Sequence, residues 1–376
     1  MRPDYSNSIV NLMSSIARAL GGTMPYPQLR QLPAKELRRT KRTVLLVVDG
    51  LGYEWLRAHG KGSFLERHLQ SKMTSVFPST TAAAMTTFFT GVAPQQHAFT
   101  GWNMLFKELG MVVAPLPPWT RSGHLPVPQF DVEGLTNARP FFEIIRTKSA
   151  QVIPKGYLGA NYNDYLIRAA RLYPYRTLNG FSRQVRKAAR ERRFVLAYWP
   201  LFDKSCHQTG TDSSETLARF REIDRAVRGI AAGLHDTTLI VTADHGFMDC
   251  SPKRTILLDH HPELLSALTV PLCGESRAAY AYVRPARTKA FERYVKRHLA
   301  HACTLMRSEE LVSDGWYGRG KEDPRLRDRI GDYVLVMKDG WVVQDPVMGE
   351  THSGHIGRHG GVSKKEMLVP LIVVKN

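Results

Sequence analysis

Three aspartates, three histidines and a threonine stand beside short apolar runs at five separated places, and together they could hold divalent cations and supply a nucleophilic hydroxyl. Asp49 closes the run Val44–Val48 and is followed by Gly50. Thr81 ends the stretch Val76-Phe77-Pro78-Ser79-Thr80-Thr81, with Ala82-Ala83-Ala84 after it and Thr90-Gly91 further on. Asp203 and His207 lie four apart behind the run Phe194–Tyr198. Asp244-His245-Gly246 follows Thr238–Thr242, and His359-Gly360-Gly361 precedes Leu368–Val374. Each group has an ordinary reading by itself. A strand-end Asp-Gly is usually a turn, Thr80 or Thr81 could be a helix N-cap, and an Asp/His pair is common by chance. A spacing of four does direct both side chains to one metal where the segment is helical. An adjacent Asp-His pair at the end of a buried strand needs polar partners, which a metal supplies. The whole set suits two divalent cations with mixed oxygen and nitrogen ligands. His352 and His355 are further candidates, read here as lining the mouth of the site.

The elements that must position these residues are legible as runs. The β-branched apolar segments have the length of buried strands, and their continuous character, without alternation, implies cover on both faces, as in a parallel sheet. Pro370 in the last run points to an edge position or a bulge. Leu217, Phe220, Ile223, Val227, Ile230 and Leu234 form one apolar stripe over Ser214 to Leu234, a helix. Asp212 with Glu215 reads as a variant capping box. That helix joins two strands, giving a right-handed strand–helix–strand crossover. Asn7 to Leu20 reads as an amphipathic helix. The fold class is therefore α/β, a mostly parallel sheet flanked by helices on both faces. Ligands of such folds bind past the C-terminal ends of the strands, where the start of a Thr81 helix would add free N–H groups and positive potential for an oxyanion. Residues 101–153, rich in Pro, Gly and aromatics, read as loops covering the site. Residues 274–345 read as an inserted α+β lobe: a strand at Ala279–Val283, a helix at Lys289–Leu299, and a hairpin of Asp332–Met337 with Trp341–Val343 about Asp339-Gly340. The catalytic core is then 1–273 with 346–376, and 1–40 is a helical extension.

Composition sets the frame. The 376 residues are 43% hydrophobic and 23% charged, enough for a large core. No stretch approaches the 18 or so apolar residues of a membrane span. Asp4, Asn7, Asn11 and Arg18 interrupt the N-terminus, so a signal peptide is not expected and the cytoplasm is the default location. Cys206, Cys250, Cys273 and Cys303 form no C-x-x-C pair and read as free thiols. The net charge of +18, with clusters at Arg38–Arg42 and Arg186–Arg193, reads as attraction of a phosphorylated substrate, a nucleic acid or an anionic membrane surface, or else as solvated basic surface. A nucleic acid is compatible with that charge and not required by it.

In these residues the chain resembles the type I phosphodiesterase/nucleotide pyrophosphatase branch of the alkaline phosphatase superfamily. The resemblance rests on Val47-Val48-Asp49-Gly50, Val76–Thr81 with Thr90-Gly91, Asp203–His207, Ala243–Gly246 and His359–Gly361, and runs from about Thr43 to the C-terminus. It implies an alkaline phosphatase-like fold and a metal-dependent hydrolase of small anionic phosphate esters, diesters or nucleotide pyrophosphates, acting through a phosphothreonine intermediate. It implies two divalent ions, zinc with manganese as the alternative. Asp49, Thr81, Asp244 and His245 would hold one, and Asp203, His207 and His359 the other. Thr81 rather than Thr80 matches the nucleophile, because the family pattern is F-P-x-x-T. A hydroxyl is a poor nucleophile at neutral pH, and two metals stabilise the attacking and leaving oxygens of an in-line displacement.

One departure is visible. The family carries an Asn, bound to a phosphoryl oxygen, soon after an H-G pair. Here the stretch is His97-Ala98 to Trp102-Asn103, without that Gly and about one residue longer, and Asn103 is the counterpart. No Arg follows Thr81 closely, which favours diesters over monoesters. Phosphonate hydrolase and phosphomonoesterase are the alternatives within the superfamily. A basic nucleic-acid or membrane-surface binding protein on an inactive hydrolase fold is the alternative of another class, and a broken ligand set would mark it. All seven ligand positions are filled.

Overall fold

The structure, a computed structural model, describes residues 1–116 and 118–375. A seven-stranded sheet runs through the main core in the order Leu69–Thr74, Leu368–Lys375, Thr237–Thr242, Arg42–Val48, Phe194–Trp199, Ser149–Pro154 and Arg171–Tyr175. The last five in that order are mutually parallel, while Leu368–Lys375 runs antiparallel to both neighbours. Arg42–Val48, Phe194–Trp199 and Thr237–Thr242 are buried along almost their whole length, as their unbroken apolar character requires.

Pro370 lies inside the sheet rather than on an edge strand. It pairs with Lys72 on one side only. Pairing to the Thr237–Thr242 strand begins at Ile372, after a register shift between Leu371 and Ile372. The late start of that second pairing spares its ladder a residue that has no N–H.

The helix after Asp203 and His207 spans Ser214–Ala232, but Ser213 caps it, accepting from the Thr216 N–H at 3.1 Å, and Asp212 does not. The shorter hydroxyl of Ser213 stands at the extended residue immediately before the first turn. The N-terminal helix, Ile9–Ala19, is buried except at Arg18 and packs on the helix that begins at Thr81. Its polar residues are satisfied inward: Asn11 donates to the Tyr5 carbonyl, Ser14 to the Tyr26 carbonyl, and Ser15 accepts from the Leu29 N–H. This helix therefore belongs to the main core instead of presenting a solvated face.

Two regions are more regular than the sequence suggests. Within 101–153, Met104–Phe106, Met111–Pro115 and Pro118–Thr120 form a small antiparallel sheet, and Ser149–Pro154 is a strand of the main sheet. In the lobe, Cys273–Glu275, Ala278–Ala281, Tyr333–Met337 and Cys303–Arg307 form a four-stranded antiparallel sheet in that order. Its core also draws on Ile256, Leu258 and Leu264, ahead of residue 274. The expected hairpin about Asp339-Gly340 does not form. The chain does turn there, with Trp341 N–H bonded to the Lys338 carbonyl and Gly340 at φ +75°. It then leaves the sheet, and Val342–Gln344 pairs in parallel with Thr255–Leu257. The buried Arg277 guanidinium bonds the Lys338 and Trp341 carbonyls and holds that exit open.

Candidate active site

Three neighbouring parallel strands end at one place. Asp49 follows Arg42–Val48, Asp244 and His245 follow Thr237–Thr242, and Asp203 and His207 ride on the helix Leu201–Thr209 that follows Phe194–Trp199. His359 arrives on the loop before Leu368–Lys375, and Thr81 is the first residue of the helix Thr81–Thr90. The structure brings all seven together, in two overlapping groups. In one, His245 Nε2 stands 3.4 Å from Asp49 Oδ1 and 3.4 Å from Asp244 Oδ2, with Thr81 Oγ1 at 3.1 Å. In the other, Asp203 Oδ1 stands 3.6 Å from His207 Nε2 and 3.9 Å from His359 Nε2. Asp203 Oδ1 and His245 Nε2, 4.0 Å apart, link the two groups.

The surroundings aim these side chains. Asp49 accepts the Tyr198 hydroxyl on Oδ2, and Asp244 accepts the Gly50 and His245 N–H groups on Oδ1. Each is thus anchored by one oxygen and turns the other inward. His207 Nδ1 lies 2.9 Å from the Gly357 carbonyl and His245 Nδ1 lies 3.1 Å from the Gly246 carbonyl. A carbonyl only accepts, so both Nδ1 atoms carry a proton, and both Nε2 atoms face the site. Gly246 is required by contact: a Cβ there would stand 2.0 Å from the Lys365 carbonyl oxygen.

Asp49 Oδ1, Asp203 Oδ1, Asp244 Oδ2 and His359 Nδ1 are buried without a hydrogen-bond partner. Burial pushes the carboxyls of Asp49 and Asp203 well above the usual range, and repulsion from Asp244 adds to it. Burial lowers His207 to about 3 and holds His359 well below its ordinary value, with neighbouring histidines adding to the effect. Neutral imidazoles among converging, partnerless carboxylate oxygens are a donor set that divalent cations complete. The residues present therefore fit two metals.

The groups open into a cavity of about 680 Å³ lined by Thr81, Asn103, Asp203, His207 and His359. Asn103 is held there by reciprocal backbone bonds to Gly274. His355 also lines it, its ring 4.5 Å from that of His207, whereas His352 faces outward and pairs with Asp259 at 3.2 Å. The site has members that sequence reasoning missed. Arg121 and Arg358 are among the residues that line the cavity, although no Arg lies close to Thr81 in the chain, and the Arg121 guanidinium is bound to Glu350 and to the Leu272 and Asp345 carbonyls. Arg358 could have been found as the neighbour of His359, and Tyr198 from its place at the end of the Asp203 strand. Arg121 and Glu275 carry no local signal. Glu275 lies half-buried on the cavity wall, and burial pushes its carboxyl up to about 7. Thr80 occupies the N-cap position of the Thr81 helix without capping it, and its hydroxyl donates instead to Glu275 at 2.6 Å.

Residues 43–361 match the family of type I phosphodiesterases/nucleotide pyrophosphatases. The chain belongs to that family. Human bis(5'-adenosyl)-triphosphatase ENPP4 is 26% identical over 174 residues, which are 44% of this chain and 35% of that protein. The chain spans about a third of the length of the curated relatives it matches. Murine ectonucleotide pyrophosphatase/phosphodiesterase 5 shares the fold with a TM-score of 0.67 at 19% identity, over 88% of this chain and 87% of that one. Phosphonoacetate hydrolase from Sinorhizobium meliloti 1021 does so with a TM-score of 0.64 at 18% identity, over 89% and 90%. This phosphodiesterase family member thus has the alkaline phosphatase-like architecture expected from its motifs.

Proposed function

We propose that the chain is a metal-dependent hydrolase of phosphodiesters or nucleotide pyrophosphates in which Thr81 attacks phosphorus and a phosphothreonine intermediate forms and is hydrolysed. The observation that carries this reading is the Thr81 hydroxyl, 3.1 Å from His245 Nε2, at the mouth of two groups of partnerless carboxylate oxygens and neutral imidazoles. Asp49, Thr81, Asp244 and His245 would hold one metal, and Asp203, His207 and His359 the other. Three imidazoles among the ligands favour zinc over manganese. When bound, the ions supply Lewis acidity to the attacking and leaving oxygens and lower the pKa of a bound hydroxyl.

The chain's own groups do the rest. The helix start at Thr81 presents unsatisfied N–H groups to non-bridging oxygens. Asn103 on the cavity wall donates to a phosphoryl oxygen. Tyr198 and the Gly357 and Gly246 carbonyls keep Asp49, His207 and His245 in their orientations. The substrate is a small anionic phosphate ester. A curated relative is named as a bis(5'-adenosyl)-triphosphatase, and an inactive variant of the murine neighbour is solved with AMP, which supports nucleotide-like substrates. Arg121 and Arg358 weaken the case against monoesters built on a missing Arg, and they keep phosphonates and monoesters as the second reading. Four buried free thiols support a reducing, cytoplasmic location. Among the described residues no helix is long and apolar enough to cross a membrane.

The test is turnover of an aryl phosphodiester, a dinucleotide, an aryl monoester and a phosphonate by the zinc-loaded and manganese-loaded protein. The diester or the dinucleotide should have the highest kcat/KM, and chelation should abolish it. Preference for the monoester or the phosphonate selects the second reading. Turnover insensitive to chelators refutes the two-metal site.

A further inference from the structure

We infer that Glu275 is a positioning residue that sets the Thr81 hydroxyl and the Asn103 amide in register for attack. It closes the first strand of the lobe, Cys273–Glu275. One oxygen, Oε1, accepts both the Thr80 hydroxyl at 2.6 Å and the Trp102 N–H at 2.7 Å. Thr80 precedes Thr81 and Trp102 precedes Asn103. The same side chain also packs on the residue after His359: a Cβ on Gly360 would stand 2.6 Å from Glu275 Cβ, and Gly360 has φ +100°. Three loops that carry proposed site residues are therefore held to one side chain from the lobe.

A local rule is broken to make this link. A threonine at an N-cap position normally accepts from the first turn of its own helix. Thr80 adopts the extended N-cap conformation, yet makes no such bond and points its hydroxyl at the lobe. The first turn is left without a side-chain cap at the place where the proposed mechanism wants free N–H groups for an anion. Glu275 takes no part in bond making. It acts through Thr80 and Trp102, and a displacement of about 1 Å at a reacting pair can cost on the order of 100-fold in rate.

The inference rests on the proposed Thr81 chemistry, and its test is built so that the two fail separately. Glu275→Ala and Thr80→Val each remove one end of the link, and Glu275→Gln keeps an accepting oxygen. On an aryl phosphodiester, the first two should lower kcat by about 10- to 100-fold with KM within about 3-fold. The double variant should be no slower than the slower single one, and Glu275→Gln should keep most of kcat. Metal content should be unchanged in all of them. Hydrogen–deuterium exchange supplies a readout without substrate: the Trp102 amide should exchange faster in Glu275→Ala and as in wild type in Glu275→Gln. Unchanged exchange at Trp102, additive losses in the double variant, or a Gln variant as slow as the Ala variant would each overturn the inference. Wild-type protein that hydrolyses no phosphate ester refutes the proposed function instead, and the exchange measurement still decides whether Glu275 holds the Asn103 loop.

Discussion

Replacing Thr81 by Ala separates chemistry from structure in this site. The side chain is half-buried and makes a single hydrogen bond, to His245 Nε2 at 3.1 Å. Losing one such bond costs about 0.5–1.5 kcal/mol, and the better helix propensity of Ala offsets part of it. In a chain of 376 residues that is a shift of a few degrees in Tm at most. The chemical loss is of another order. The variant lacks the attacking oxygen and one proposed ligand, so kcat should fall by at least about 10⁴-fold, roughly 5 kcal/mol at 1.36 kcal/mol per decade. The Asp203, His207 and His359 group is untouched and should still bind metal. Thr81→Ser retains the hydroxyl and loses only the methyl that restricts χ1, so it should keep measurable turnover. Thr80→Ala is the control beside it: it removes the donor to Glu275, and its kcat should stay at least about 100-fold above that of Thr81→Ala. Steady-state turnover of an aryl phosphodiester, thermal unfolding and mapping of a trapped phosphopeptide read all three. Phosphate found on Thr80, or a Thr81→Ala enzyme within about 10-fold of wild type, refutes the reasoning.

Gly246→Ala should fail to fold or should lose metal, because its Cβ meets the Lys365 carbonyl at 2.0 Å and Gly52 Cα at 2.8 Å, both backbone; destabilisation of at least about 3 kcal/mol is expected in thermal unfolding. Glu275 titrates at about 7 in the folded chain, above its ordinary 4.5, so the folded state binds the extra proton. Its contribution is full below pH 4.5 and is lost as pH rises through about 7, and metal-free wild type should lose roughly 3 kcal/mol relative to Glu275→Gln across that window. Parallel stability curves for the two proteins would contradict this. Salt should change kcat/KM by less than about 3-fold between low and physiological ionic strength. The reason is that Lys41, Arg192 and Arg193 precede, and Arg42 opens, the strands whose opposite ends carry the site. A steep fall with salt would return the +18 charge to substrate steering.

What the sequence shows of this protein, and what it hides, follows from how far each interaction reaches along the chain. Asp49, Asp244 and Asp203 are legible because each stands just behind a run apolar enough to be a buried strand, and a carboxylate at such an end must find a partner. The parallel character of the sheet is legible for the same reason. Pro370 is ambiguous, since a proline excluded from a ladder fits an edge strand and a bulge equally well, and only the neighbour that skips it decides. The Asp339-Gly340 turn is real, yet turn chemistry fixes a reversal and says nothing about pairing. Arg277, 64 residues from Trp341, directs the chain out of the sheet. Strands such as Ser149–Pro154 and Arg171–Tyr175 escape notice because Gln151, Pro174 and Arg171 break their apolar runs. The link from Thr80 to Glu275 spans 195 residues and joins the start of the Thr81 helix to the lobe. In sequence Thr80 is an unremarkable N-cap and Glu275 an acid between a glycine and a serine. Their meeting, together with the backbone bonds between Asn103 and Gly274, makes the lobe part of the site. It follows that the lobe cannot be exchanged for another as a passive cover: a graft that kept all seven proposed metal ligands but replaced Cys273–Glu275 would keep the metals and lose the register between Thr81 and Asn103.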